Sequence, residues 1–124
     1  KVLFTGVAGG VNPDINIGDI VIGNDLIEHD FDSTAFGYEL GQIPRMDTYI
    51  FKADQQLIDI AYDVAEKEFG KSKVCVGRIV SGDEFVASVE RIKWLRDTFK
   101  ADCTEMEGAA VLMYAMFSIC LFLS

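Results

Sequence analysis

Residues 54–83 read DQQLIDIAYDVAEKEFGKSKVCVGRIVSGD, and a change of pattern inside this stretch decides the fold class. In its first half Leu57, Ala61, Val64, Ala65 and Glu68 recur at helical spacing. Asp54 can cap the start and Gly70 can end the run, which predicts a helix over Asp54–Phe69. Val74–Val80 then reads as a buried strand that breaks at Ser81-Gly82-Asp83. A helix leading into a buried strand is the unit of a layered α/β fold, and the same alternation continues on both sides.

Toward the amino end, Lys1–Thr5 reads as a buried strand ending on a glycine-rich turn, Gly6-Val7-Ala8-Gly9-Gly10. Asn12-Pro13-Asp14 is a turn signal, and Gly18-Asp19 opens a second strand through Ile20, Val21 and Ile22. The stretch from Asn24 to Pro44 has no sustained period and reads as a short strand followed by an elaborated loop. Toward the carboxyl end, Ser88 can cap a helix over Val89–Phe99 with Ile92, Leu95 and Phe99 on one face. A short strand near Ala101–Thr104 then feeds a helix beginning around Glu105. Strands alternating with helices indicate an α/β fold with a mixed sheet. There is no internal repeat, low-complexity tract or linker, so residues 1–124 form one domain or part of a larger one.

Bulk properties exclude several classes of function. Twenty acidic residues against eleven basic ones give a net charge of −9, which repels nucleic acid phosphates and anionic membrane surfaces. The partner expected is a small or weakly charged molecule, with no nucleic acid and no membrane. Gly108–Ser124 is uncharged and largely apolar, but it falls short of the ~20 apolar residues of a spanning helix. A buried helix running into a strand is the better reading. Cys75, Cys103 and Cys120 form neither a CxxC pair nor a zinc spacing, which points to reduced thiols in a cytoplasmic protein. The opening Lys1-Val2-Leu3-Phe4-Thr5-Gly6 is too soon broken by glycine for a signal peptide.

Ligands of α/β folds favour the carboxyl ends of strands, and Gly6–Gly10, Ser81–Val86 and Thr104–Glu107 all follow predicted strands. In the first, glycine lets backbone approach a ligand closely, although P-loop and dinucleotide spacings are absent and a plain tight turn would leave the same trace. In the third, Glu105 and Glu107 could accept hydrogen bonds from neighbouring ribose hydroxyls. Thr104-x-x-Glu107 is equally a capping box, and spacing alone favours the box. Glu28-His29-Asp30-Phe31-Asp32 holds the only histidine, so a hydrogen-bonded structural or interface histidine is expected there rather than a metal site. Ser81-Gly82-Asp83 lacks the frame of a nucleophile elbow.

Together these segments are far more specific than singly. Phe4-Thr5-Gly6-Val7-Ala8-Gly9-Gly10, Gly18-Asp19-Ile20-Val21, His29 to Glu39, Gly41-Gln42-Ile43-Pro44, Phe51-Lys52-Ala53-Asp54, Ile79 to Phe85, and Glu105-Met106-Glu107-Gly108-Ala109-Ala110 occur in order. The series resembles the bacterial methylthioadenosine/S-adenosylhomocysteine nucleosidases of the purine nucleoside phosphorylase superfamily, over Lys1 to roughly Met113. The resemblance implies a three-layer αβα fold with a central mixed sheet, phosphorylase/hydrolase-like and incomplete over residues 1–124. It also implies hydrolysis of the N-glycosidic bond of methylthioadenosine and S-adenosylhomocysteine, with no metal or organic cofactor.

By the same resemblance, Glu107 grips the ribose hydroxyls, Met106 packs near the sugar, and Glu105 lies near water and ribose. Phe85 stacks on adenine, Val86 offers backbone hydrogen bonds to the base, and Val7, Ala8 and Gly9 lie beneath the nucleoside. Phe51 matches a residue that reaches into a neighbouring subunit's pocket, implying a homodimer in which the His29–Gln42 region serves the interface. Phe4 stands where related hexameric phosphorylases carry a phosphate-holding arginine, which favours water as nucleophile. The family's water-activating glutamate falls before these residues, and its proton-donating aspartate, in a Ser-Asp motif, falls after them. A noncatalytic nucleoside-binding or dimerisation protein is therefore the alternative expectation, as is another hydrolase or phosphorylase of the superfamily.

Overall fold

The computed structural model describes residues 2–115 and 118–123. In chain order they form β1 (Val2–Val7), β2 (Gly9–Gly10), β3 (Ile20–Glu28), β4 (Phe51–Lys52), α1 (Gln55–Phe69), β5 (Val74–Ser81), α2 (Val89–Phe99), β6 (Cys103–Glu105), α3 (Gly108–Ala115) and β7 (Ser118–Leu123). Among the described residues the strands make one mixed sheet in the order β1-β7-β3-β5-β6-β2, with β4 on the free part of the β3 edge. The centre, β3-β5-β6, is parallel, as is β1 with β7, whereas β7 and β4 run antiparallel to β3 and β2 antiparallel to β6.

Register assigns each side chain to a face. Ile20, Ile22 and Val74 pack under α1 with Ile58 and Ala65. Val21 lies on the opposite face with Leu26, Ile79 and Cys103. The β3–β5 register slips between Gly23 and Asp25, so Asn24 is an extra, bulged residue. Beyond the bulge the alternation resumes one position later. Ile27 and Val80 therefore share the helix-covered face of Ile20 and pack under α2 with Leu95 and Phe99. α1 and α2 cover this face. α3 covers the other, because a Cβ on Gly108 would stand 2.7 Å from Leu26 Cδ2. This is a three-layer arrangement. Burying Val21, Leu26 and Ile79 completely stabilises it by about 1.5–3 kcal/mol each.

The predicted elements recur with shifted ends. Asp54 caps α1 by accepting from the Leu57 amide, and Ser88 caps α2 by accepting from the Arg91 amide. On α1 the fully buried positions are Ile58 and Ala65, while Val64, expected inside, is 57 % exposed. β3 does not end at Ile22 but continues to Glu28, since Asn24 is absorbed as a bulge rather than a break. Gly9 and Gly10, expected in a turn, pair with Thr104 and Cys103 as a strand. Residues 108–115 are helical and 118–123 extended, as read; Met116, Phe117 and Ser124 of that reading lie outside the described residues, as does Lys1. Among the described residues no helix is long and apolar enough to cross a membrane.

Candidate active site

At the carboxyl ends of β1, β5 and β6 lies a cavity of about 360 Å³, lined by Val7, Ala8, Gly9, Glu84, Phe85, Val86, Thr104, Glu105, Met106 and Glu107. A volume of ~300–1,000 Å³ is usual for small-molecule sites. The sheet brings these segments together: β2 pairs with β6 through Gly9 and Thr104, and β6 pairs with β5 through Glu105 and Ser81. Apolar surface is left open here. Phe85 is 81 %, Val7 80 % and Met106 39 % exposed, an arrangement that awaits a partner rather than a core. A Cβ on Gly9 would meet the Thr104 methyl at 3.6 Å, an ordinary contact, so the fold itself does not demand glycine there.

Glu105 decides the chemistry of the floor. Its Oε2 accepts from the amides of Glu107 at 2.8 Å and Gly108 at 2.6 Å, and the next amide, of Ala109, donates to Ser81 Oγ at 3.1 Å. The amides at the start of α3 are thereby taken by side chains of β6 and β5. The capping-box reading is overturned. Thr104 belongs to β6, its hydroxyl is buried without a partner among the described residues, and Glu105 performs the capping. The reason is the sheet: Thr104 and Glu105 are paired with Val80 and Ser81, which delays the helix to Gly108. Gly108 is required for this closeness, since a Cβ there would also stand 2.9 Å from Glu105 Oε1. That oxygen is buried and has no partner among the described residues. Glu107, one turn outward, is exposed.

The electrostatics follow from composition. Among the described residues the lining contains Glu84, Glu105 and Glu107 and no lysine, arginine or histidine. A helix start normally attracts anions, but here a carboxylate already occupies the amides. Nearby, Glu28 ends β3 on the same face as Ser81 and Glu105. Burial lifts its carboxyl to about 7, helped by a hydrogen bond and charge from Asp30 and by the charges of Asp83 and Glu105. His29 is fully buried; its amide donates to the Ser81 carbonyl at 2.8 Å, and burial holds its ring below the ordinary histidine value. Among the described residues no group of three His, Cys, Asp or Glu side chains is arranged to hold a metal ion.

Of the residues singled out from sequence, Val7, Ala8, Gly9, Phe85, Val86, Glu105, Met106 and Glu107 line this one cavity. Phe51 does not. It sits in β4, half-buried against the chain's own core of Ala8, Val21, Leu26, Ile79 and Cys103, whereas Phe36, in a 3-10 turn between β3 and β4, is 83 % exposed. Sequence reasoning placed Glu84 and Thr104 inside the candidate loops without giving them a role, and it missed Glu28 as a perturbed acid. Glu84 lay inside a quoted motif, but nothing in its spacing separated it from Asp83.

Residues 1–119 match the family model described as Phosphorylase superfamily. An aminodeoxyfutalosine nucleosidase of Campylobacter jejuni is 43% identical over 111 residues, 90% of this chain and 47% of that protein. A 5′-methylthioadenosine/S-adenosylhomocysteine nucleosidase of a Geobacillus species is 43% identical over 111 residues, 89% of this chain and 47% of that protein. Among solved structures, a Helicobacter pylori protein titled MTAN superposes with a TM-score of 0.89 at 35% identity, over 99% of this chain and 56% of that one. The chain thus spans about half the length of the curated relatives it matches.

Proposed function

The chain belongs to the phosphorylase superfamily, and from that premise we propose that the protein hydrolyses the N-glycosidic bond of adenine nucleosides substituted at the 5′ position. Methylthioadenosine and S-adenosylhomocysteine are the expected substrates, with adenine and the thioribose as products. One observation carries hydrolysis over phosphorolysis: the cavity lining is acidic, without a cation, and the amides of α3 that could hold an anion are bonded to Glu105. Among the described residues a phosphate dianion would meet Glu105 and Glu107 and no lining cation, Glu84 being already paired with Arg91, whereas water and a neutral nucleoside meet no such penalty.

In this reading Phe85 supplies an aromatic face to the base and Val86 its backbone groups. Glu107, exposed at the cavity wall, accepts from the ribose hydroxyls, and Met106 covers the sugar. Val7, Ala8 and Gly9 form the floor. Glu105 is committed through Oε2 to α3, leaving Oε1 for water or ribose. A homodimer in the cytoplasm completes the proposal, with the His29–Gln42 region, where Phe36 is exposed, as its contact and Phe51 beside it. No cofactor enters this scheme.

The test is adenine release by the complete gene product that contains this chain, from methylthioadenosine, S-adenosylhomocysteine and aminodeoxyfutalosine, with and without phosphate. Turnover independent of phosphate is expected, and the nucleoside turned over fastest fixes the 5′ preference. Strict dependence on phosphate, with formation of a ribose 1-phosphate, would overturn the hydrolytic reading.

A further inference from the structure

The aromatic face at Phe85 rides on residues 82–88, which belong to no helix or strand. Phe85 has little packing of its own, so its position depends on how the loop is tied down. Three ties are visible at its start. The Gly82 amide donates to the Glu105 carbonyl at 3.2 Å, the Asp83 amide donates to Asp30 Oδ2 at 2.7 Å, and Glu84 Oε2 accepts from Arg91 Nε at 2.9 Å. Val86 adds an apolar contact with the cluster under α2.

Arg91 is itself held from two other sides. Its guanidinium lies over the Trp94 ring at 4.0 Å, and Trp94 meets Phe99 edge-on at 5.5 Å, so the stacking partner is fixed in the core. Its Nη2 stands 3.4 Å from Nδ1 of fully buried His29. Arginine can only donate, so this contact is a hydrogen bond in the tautomer whose Nδ1 carries no proton. His29 in turn packs on Gly82, where a Cβ would stand 2.6 Å from Nε2. One chain of contacts therefore runs from the end of β3, through α2, back to the residue preceding Phe85. Arginine in the first turn of a helix opposes the helix dipole, so this side chain is placed against its local preference.

We propose that Arg91, set by His29 and Trp94, is a positioning residue that holds Glu84 and so fixes the Phe85–Val86 wall of the cavity for a planar base. The inference rests on the nucleoside reading for the identity of the ligand, but not for the strap itself. A wall held in place before binding costs no ordering when the base arrives. Losing the strap therefore weakens binding more than it slows bond cleavage.

Arg91→Met, Glu84→Gln, Arg91→Lys and the double variant Arg91→Met/Glu84→Gln are compared in the complete gene product, using methylthioadenosine. Each of the Met and Gln variants should raise KM about fivefold, the scale of a partly exposed charge pair, with kcat within about twofold. The double variant should be no worse than either single one. Arg91→Lys keeps the charge but not the fork, and should recover part of the loss. Amide hydrogen exchange at residues 84–87 should quicken in Arg91→Met while α2 beyond its first turn stays protected, and emission of Trp94 should change in Arg91→Met. Additive effects on KM, a fall in kcat at constant KM, or unchanged exchange at 84–87 would each overturn the strap. If the wild-type protein releases adenine from no nucleoside, the substrate reading falls, and the exchange measurement still decides the strap.

Discussion

Glu105→Ala is the substitution that separates the two meanings of the Glu-Met-Glu segment. Glu105 is 5 % exposed, and its Oε2 receives two amides at 2.8 and 2.6 Å. Hydrogen bonds to a charged acceptor contribute about 1.5–3 kcal/mol each, and orphaned buried amides carry a further penalty. Against this stands the cost of keeping Oε1 buried without a partner, which the variant relieves. The balance is a loss of about 3 kcal/mol, above the ~0.5–2 kcal/mol of an ordinary helix cap because two amides bond one buried carboxylate. Glu105→Gln keeps an acceptor oxygen and should lose about 1 kcal/mol, the difference between a charged and a neutral acceptor. Thr104→Val should be neutral or stabilising by up to about 1 kcal/mol, because it removes a buried hydroxyl that has no partner among the described residues. Urea unfolding of the complete gene product measures all three, and exchange of the Glu107 and Gly108 amides localises the effect. If Thr104→Val cost more than Glu105→Ala, or the two amides stayed protected without the carboxylate, the reassigned cap would be wrong.

Three further outcomes follow from other parts of the molecule. The rise of Glu28 from 4.5 to about 7 means that its folded form favours the proton, so its contribution is present at pH 4 and lost as pH climbs through 7. Unscreened this is worth about 3 kcal/mol, and for a half-buried group about 1 kcal/mol; Glu28→Gln should therefore gain that much stability over wild type between pH 5 and pH 8, in paired melting curves. Gly77→Ala would press a methyl into the Asp102 carboxylate, costing about 2 kcal/mol as an overpacked site does, and Asp102→Ala should relieve much of that, so denaturant midpoints of the double variant should be less than additive. Glu107→Gln should leave the melting temperature within about 1 °C of wild type, as an exposed substitution does, while raising KM for methylthioadenosine at least tenfold through the lost ribose bonds.

The parts of the fold that were legible in sequence are those set by local chemistry. Asp54 and Ser88 cap their helices by the contacts their residue types predict, and Val74–Ser81 is a buried strand because its apolar run fits nothing else. What escaped was fixed by pairing. Ile20–Ile22 and the stretch from Asn24 read as two separate short strands, yet the β5 ladder carries one β3 through Asn24 as a bulge. Thr104 and Glu107 are spaced as a capping box, yet pairing with β5 keeps Thr104 and Glu105 extended and passes the cap to Glu105. Val64 falls on the periodic stripe of α1, but Ile58 and Ala65 take the buried places. Within the site, the ordered motifs gathered the residues of the cavity, whereas Arg91 left only a faint trace, a cation where the first turn of a helix favours an acid.

Among the described residues, satisfied and unsatisfied buried polar groups are unevenly distributed over the sheet. Among the described residues, buried Asp19 and half-buried Asp102 at the amino ends of β3 and β6 each have a cationic partner. Asp19 bonds Lys73 at 2.9 Å and Asp102 bonds Arg96 at 3.0 Å. In mid-sheet, Arg78 forks onto Asp25 at 2.6 and 3.0 Å while its Nη1 holds the Phe99 carbonyl at 2.8 Å. Among the described residues the buried side-chain atoms without a partner, His29 Nε2, Thr104 Oγ1 and Glu105 Oε1, all lie at or just beyond the carboxyl ends of β3 and β6. A sheet selected only for stability has no reason to leave its dissatisfaction at one end, beside the perturbed Glu28 and the exposed faces of Phe85, Val7 and Met106. That asymmetry is independent of any relative. The cavity opens at that same edge, where Glu105 both caps a helix and lines the cavity.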